Sequence, residues 1–221
     1  MNYEYLDHDH TYTLGMSLTI ELIKYRLDAV VKIFLSTKIN NSNSFNKFIN
    51  SLNELGIDYE YNDKLINKLS VKENCYVIGV FNKYPQRLSG NRHYVLCNQN
   101  DEGEVGTIMR TLASFGFSDL ILINCDVDIF SPKCIRSSMG GIFIVNTVKY
   151  DSIDDYCCDY PSQKLYYFNQ KGNNKFHDSL IVGDYTLIFG TNELDAYYLD
   201  YQNDFDQLLI SASVLNDLKI I

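Results

Sequence analysis

No two of the six cysteines stand in a C-x-x-C spacing, no apolar run approaches the ~20 residues a membrane-spanning helix needs, and basic residues are outnumbered, 19 against 28 acidic. Each absence excludes something. Zinc sites need ligand pairs a few residues apart; the cysteines supply none, and the four histidines, two of which (His8 and His10) fall near the flexible start, do not make up for it. Cys75 and Cys97 lie in the apolar, strand-like runs "NCYVIGVF" and "YVLCN", the setting of buried thiols. Cys125, Cys134, Cys157 and Cys158 are scattered through the rest. No stretch at the start joins basic residues to an apolar segment and a small-residue cleavage site. These features lead us to expect a soluble, cytoplasmic protein without a metal or a membrane partner. The charge of −9 is uneven: residues 1–90 hold ten basic and ten acidic side chains, and the remainder holds nine basic and 18 acidic. General polyanion binding rests on Lys and Arg, so any contact with nucleic acid must be local.

What the chain does have is length for one large domain or two small ones and 46% hydrophobic residues, enough for a sizeable core. Helical and strand-like segments alternate. "SLTIELIKYR" reads as a short amphipathic helix capped by Ser17, "AVVKIFLS" as a buried strand, and "SFNKFINSLNELG" as a helix stopped by Gly56. "IDYEYN", "DKLINKLS" and "NCYVIGVF" follow as strand, helix and strand. Pro85, Ser89, Gly90 and Asn91 then interrupt the pattern, which places a linker at 85–93 between units at 1–84 and 94–221. The second unit alternates again: strands at "YVLCN", "DLILIN", "FIVNTV", "KLYYFN" and "YTLIFG", with helices at "EVGTIMRTLASFG", "KCIRSSMGG" and "SIDDYCCDY". Strands separated by crossovers predict an α/β fold with a parallel, doubly covered sheet, whose ligand crevice lies at the strand C-termini. Asn98, Asn124 and Gly190 stand at such ends.

Three segments carry candidate chemistry. "GEVGTIMRT" sets Gly103 and Gly106 ahead of Arg110. Glycines there either let a backbone approach a ligand or open an ordinary core helix. The spacing is not the dinucleotide fingerprint G-x-G-x-x-G, and no Gly-Lys-Ser/Thr follows to make a P-loop. "FSPKCIRSSMGGIF" places Lys133 and Arg136 at the start of a helix after Pro132, either as a solvated face or as a basic ridge for phosphates. In "YTLIFGTNELD" an apolar strand ends at Gly190, a close-approach point or a tight turn.

Together these segments resemble the SpoU/TrmH family of RNA ribose 2′-O-methyltransferases, of the SPOUT class of knotted enzymes. The family's first motif, approximately N-x-G-x-x-x-R-T, falls on Glu104, Gly106, Arg110 and Thr111 and continues in "SFGF"; "DIFSPKCIRSSMGGIF" and "LIFG" resemble its later segments. The first unit, including "KLSVKENCYVIGVF", resembles the ribosomal-protein-like substrate-binding domain that often precedes the catalytic one. The resemblance implies an N-terminal RNA-binding α/β domain, a C-terminal α/β-knot domain, S-adenosylmethionine as methyl donor, tRNA or rRNA as substrate, and a homodimer. It implies catalytic positions at Arg110 and Glu104, a donor pocket lined by Gly190, Thr191, Asn192, Leu209 and Ile210, and RNA contacts from Lys133, Arg136 and Ser138. The chain departs from the pattern where Glu104 replaces the motif asparagine, where "GTNELD" offers Asn192 or Glu193 for a glutamate, and where Leu209-Ile210 stands for Ile-Pro. The short end at Ile221 implies a shortened closing segment for the knot. An RNA-binding protein that keeps the fold but has lost methyl transfer is the alternative.

Overall fold

The computed structural model describes residues 8–70, 74–169, 183–190 and 197–198. The first unit begins with strand β1 (His10–Leu14) and helix α1 (Met16–Tyr25), followed by β2 (Val30–Leu35) and α2 (Asn43–Glu54). It continues through β3 (Tyr59–Tyr61) and α3 (Asp63–Leu69) to β4 (Val77–Asn82). The four strands form one sheet in the order β1-β4-β2-β3, with β2 and β3 parallel and the other pairs antiparallel.

Local chemistry explains most of these boundaries. Ser42 caps α2 by accepting from the Phe45 N–H, and Asn62 caps α3 through Leu65 N–H. Gly56, at φ +65°, ends the α2 turn as expected. Two expectations are corrected. Helix α1 starts at Met16 behind Gly15 rather than behind a Ser17 cap; its first turn is tied by Thr19 Oγ1 donating to the Gly15 carbonyl at 2.9 Å. The segment around His10 is a strand, not a loose start, because its inward residues Thr11 and Thr13 are buried yet polar and leave no apolar pattern to read. Thr13 Oγ1 lies 2.8 Å from Thr19 Oγ1 and accepts the Gly79 N–H at 3.1 Å, which satisfies both buried hydroxyls.

The second unit runs β5 (Arg92–Cys97), α4 (Glu102–Ser114), β6 (Asp119–Ile123), α5 (Pro132–Ser137), a 3-10 turn at Gly141–Phe143, and β7 (Asn146–Tyr150). Helix α6 (Ile153–Asp159) leads to β8 (Lys164–Asn169), β9 (Tyr185–Phe189) and β10 (Tyr197–Tyr198). The sheet order is β10-β8-β9-β5-β6-β7, and every neighbouring pair is parallel. Alternate residues of β5 face opposite layers: Tyr94 and Leu96 pack with Val105, Met109 and Leu112 of α4, whereas Val95 and Cys97 pack with Tyr156 of α6. The doubly covered parallel sheet is thus present. The "FIVNTV" strand is corrected: Ile142 and Phe143 are buried from the 3-10 turn, and the strand starts only at Asn146. An apolar run of that length does not distinguish a turn packed inward from a strand.

Residues of the first unit enter the core of the second. Phe81 lies edge-on to Phe143 at 5.5 Å and to Phe130 at 6.4 Å between ring centres. Thr11 Oγ1 donates to the Phe130 carbonyl at 2.7 Å, and the Tyr84 hydroxyl donates to that of Ile142 at 3.1 Å. Gly140, at φ +97°, lets the turn before Gly141 pass α1, where a β-carbon would stand 3.0 Å from Glu21 Cβ. The stretch between β4 and β5 therefore joins two sheets that share packed side chains.

Candidate active site

The order of the second sheet places a topological switch between β9 and β5: the chain moves from β5 through β6 to β7 on one side, then crosses to the other. In open parallel sheets, ligands bind outside the strand C-termini at such a point. Here the residue just past each of three strands lies in the left-handed region: Gly190 after β9 (φ +82°), Asn98 after β5 (φ +59°) and Asn124 after β6 (φ +52°). Asparagine tolerates that conformation better than other side chains. A β-carbon on Gly190 would meet the Cys97 carbonyl oxygen at 2.4 Å, so only glycine fits this close approach of β9 to β5.

Side-chain amides connect the three ends. Asn124 Nδ2 donates to Asn98 Oδ1 at 2.6 Å, and Asn98 Nδ2 donates to the Gly190 carbonyl at 3.2 Å. Gln99 follows: its Oε1 accepts the N–H groups of Asn100 and Asp101 at 2.8 and 3.0 Å, and its Nε2 donates to Glu104 Oε2. Asp101 caps α4 by accepting from Gly103 N–H at 2.7 Å and Glu104 N–H at 3.0 Å. Lys133 reaches Asp101 from α5 at 2.6 Å. The lysine and the two backbone donors hold the Asp101 carboxyl below its ordinary range, and Asp101 raises the Lys133 ammonium in turn. Asp101, Glu102 and Glu104 place three carboxylates at the positive end of α4.

The expected site residues therefore divide. Gly190 and Glu104 belong to this edge. Arg110 lies eight residues beyond the start of α4, about 12 Å along its axis. It sits on the solvent face and pairs with no described acidic residue. Because α4 runs back against the strands, Arg110 stands about two turns below the edge that holds Gly190. Lys133 sits at the edge with its charge engaged by Asp101, and Arg136 is exposed on α5. Ser138 is corrected as an RNA contact: it is fully buried, and its hydroxyl donates to the Ile135 carbonyl at 2.8 Å. Thr191, Asn192, Leu209 and Ile210 lie outside the described residues.

Gly106 opens no space for a ligand. A β-carbon there would stand 2.4 Å from the Cys134 carbonyl oxygen and 2.0 Å from Ser137 Oγ, so the glycine lets α5 lie directly on α4. Gly141 does the same for the 3-10 turn, at 2.8 Å from the Arg110 nitrogen. Of the cysteines, Cys97 and Cys134 are buried, and burial pushes both thiols up to about 12. Cys75, whose run reads as the setting of a buried thiol, is only half-buried, and Cys158 is exposed. Among the described residues, no His, Cys, Asp or Glu group is arranged to hold a metal ion, and no helix is long and apolar enough to cross a membrane.

The opposite edge of the sheet is built for stability. Buried Asp119 accepts the Ser89 and Gly90 N–H groups at 2.8 and 2.7 Å, and a depression of about 350 Å³ beside it runs between Arg92 and Ser118. His93, fully buried, has Nε2 3.0 Å from the Gly90 carbonyl and Nδ1 2.8 Å from the Tyr156 hydroxyl. A carbonyl only accepts, so in the neutral ring Nε2 carries the hydrogen and Nδ1 accepts from Tyr156.

Comparison with known proteins agrees with this arrangement. Residues 91–195 match the sequence model of the SpoU rRNA Methylase family. A 62-residue stretch is 36% identical to rRNA methyltransferase 3, mitochondrial, of Homo sapiens and 37% identical to its counterpart in Mus musculus. That stretch covers 27% of this chain and 15% of each relative, so the likeness spans a small part of those proteins. The fold is shared over nearly the whole chain with the SpoU methyltransferase AviRb from Streptomyces viridochromogenes, solved with AdoMet. The two superpose with a TM-score of 0.73 at 14% identity, covering 95% of this chain and 89% of that one. An rRNA methyltransferase from Sinorhizobium meliloti superposes with a TM-score of 0.71 at 17% identity, covering 96% and 87%. From β5 onward, where the parallel sheet gathers its strand ends at one edge, the chain is similar over residues 91–195 to the SpoU rRNA Methylase family.

Proposed function

We propose that this protein is an RNA ribose 2′-O-methyltransferase that uses S-adenosylmethionine and acts on tRNA or rRNA as a homodimer. The observation that carries this reading is the convergence of the β9, β5 and β6 ends at one polar edge inside the segment that matches the family. The residues present suit such a donor. Gly190 keeps the backbone open where any side chain would strike Cys97, and its neighbours are uncharged amides that fit the hydroxyls and amine of a nucleoside. Carboxylates at the start of α4 favour the positive sulfonium. When bound, S-adenosylmethionine supplies an electrophilic methyl group. Thr191, Asn192, Leu209 and Ile210 complete the pocket in this reading.

Methyl transfer requires the ribose 2′-oxygen to be held in line and to lose its proton. The guanidinium fork of Arg110 suits anchoring the neighbouring phosphate through two parallel N–H donors and orienting the hydroxyl. Lying two turns below its own edge, Arg110 serves the pocket of a second copy more readily than that of its own chain. Arg136 and Lys133 add positive charge along α5, and the first unit holds the RNA.

A second reading, an RNA-binding protein without methyl transfer, is favoured by one observation: Glu104, held by Gln99, adds a third carboxylate where the motif carries a neutral amide. The test is incorporation of labelled methyl from S-adenosylmethionine into tRNA and rRNA, with 2′-O-methylnucleosides identified after digestion. Wild-type protein should transfer, and Arg110→Ala should lose ~100-fold or more in rate. RNA binding without any donor binding or transfer would establish the second reading.

A further inference from the structure

Asn98 and Asn124 take part in no motif, yet each adopts a left-handed backbone conformation at the end of a central strand and each spends its amide on the other or on Gly190. The chain of donors has one direction, Asn124 Nδ2 to Asn98 Oδ1, then Asn98 Nδ2 to the Gly190 carbonyl. That direction fixes which way both amides face, because reversing either would set two acceptors or two donors against each other. Both side chains are exposed, so they add nothing to the core. The backbone already ties these ends together: Asn98 N–H donates to the Ile123 carbonyl at 3.0 Å and Asn124 N–H to that of Tyr150 at 3.2 Å. The amides are therefore not needed to hold the strands in register. What they add is a hydrogen bond to the Gly190 peptide, whose φ of +82° and missing side chain leave its backbone more conformational freedom than a substituted residue would have. Non-glycine residues held in this region gather at sites where geometry is preorganised.

We propose that Asn98 and Asn124 are positioning residues: their amides form a ladder that fixes the orientation of the Gly190 carbonyl and so presets the methyl-donor pocket. This rests on the function proposed above, because the ladder matters to activity only if a donor nucleoside docks at Gly190. One relay serves two purposes, since anchoring Asn98 through Asn124 spares the donor the entropy of ordering the edge when it binds.

The test uses the full chain and Asn98→Gly, which accepts the left-handed backbone without strain but removes the amide. Two readouts are compared: the 15N–1H resonance and hydrogen exchange of Gly190 in the free protein, and S-adenosylmethionine affinity by calorimetry. Asn98→Gly should move the Gly190 resonance, speed its exchange and weaken donor binding by about three- to tenfold, with an unchanged melting temperature. Asn124→Gly should give a smaller loss, and the double variant should lose less than the product of the two, because both act through one ladder. An unmoved Gly190 resonance overturns the proposal whatever the affinity. A moved resonance with unchanged affinity overturns the link to the pocket. If Gly190 moves but wild-type protein binds no donor at millimolar concentration, the ladder stands and the methyltransferase reading falls.

Discussion

Gly106 on α4 and Cys134 on α5 approach so closely that a single β-carbon on the glycine would lie 2.4 Å from the cysteine's carbonyl oxygen. Gly106→Ala forces α5 outward or unravels the turn of Cys134, and overpacking of this kind costs about 1–3 kcal/mol. Denaturant unfolding should show the lower midpoint. A variant as stable as wild type would mean that the helices are not in contact there. Because α5 carries Lys133, the same variant should also loosen the Lys133–Asp101 pair at the edge.

Phe81, fully buried between Phe130 and Phe143, belongs to the first sheet but packs in the core of the second unit. Phe81→Ala should cost about 3–5 kcal/mol, the usual range for a buried phenylalanine. Limited proteolysis should then cut the stretch between β4 and β5 faster. If the two units unfold as one before and after the change, with no loss of stability, the shared core is refuted.

His93 sets an acid limit on stability. Burial, the largest influence, holds its pKa below the ordinary 6.5, against opposing effects of the Gly90 carbonyl, Asp119 and Asp184. Above pH 6.5 the ring is neutral in both folded and unfolded chains and contributes no pH dependence. As pH falls below that value the unfolded chain takes up a proton that the folded one resists, so stability declines until the folded ring titrates in turn. Melting temperatures measured between about pH 7 and pH 5 should fall in wild type and level off in His93→Gln. Equal slopes in the two proteins would refute this role.

Mixing two inactive variants tests whether the site is shared between chains. Arg110→Ala removes the guanidinium, and Gly190→Val fills the close approach to Cys97. In a twofold-symmetric dimer with shared sites, an equimolar refolded mixture should recover about a quarter of wild-type activity, since half the dimers are mixed and each has one intact site. No recovery would place Arg110 in service of its own chain.

Much of the architecture was legible because its determinants are local. Helices α2 and α3, the stop at Gly56 and the apolar strands β5, β6 and β9 depend on nearest neighbours and on periodicity, and these are written in consecutive residues. The segment that resembles the SpoU motifs coincides with the family match. Strand β1 was hidden because its buried positions are threonines whose partners, Thr19 and Gly79, lie elsewhere in the chain. The role of Gly106 was equally hidden, since a glycine that admits a ligand and one that admits a helix look the same in a sequence.

The sequence by itself determined the alternation of elements, the place of the strand ends and the chemical kind of each candidate residue, because propensity, capping and apolar period act over a few residues. Tertiary structure alone decided that Gly190, Asn98 and Asn124 form one ladder while Arg110 stands two turns away. It also decided that Ser138 is sealed inside and that α5 rests on Gly106. Those outcomes depend on strand order and helix packing, which bring together residues up to 92 positions apart and leave no trace in either residue's neighbourhood.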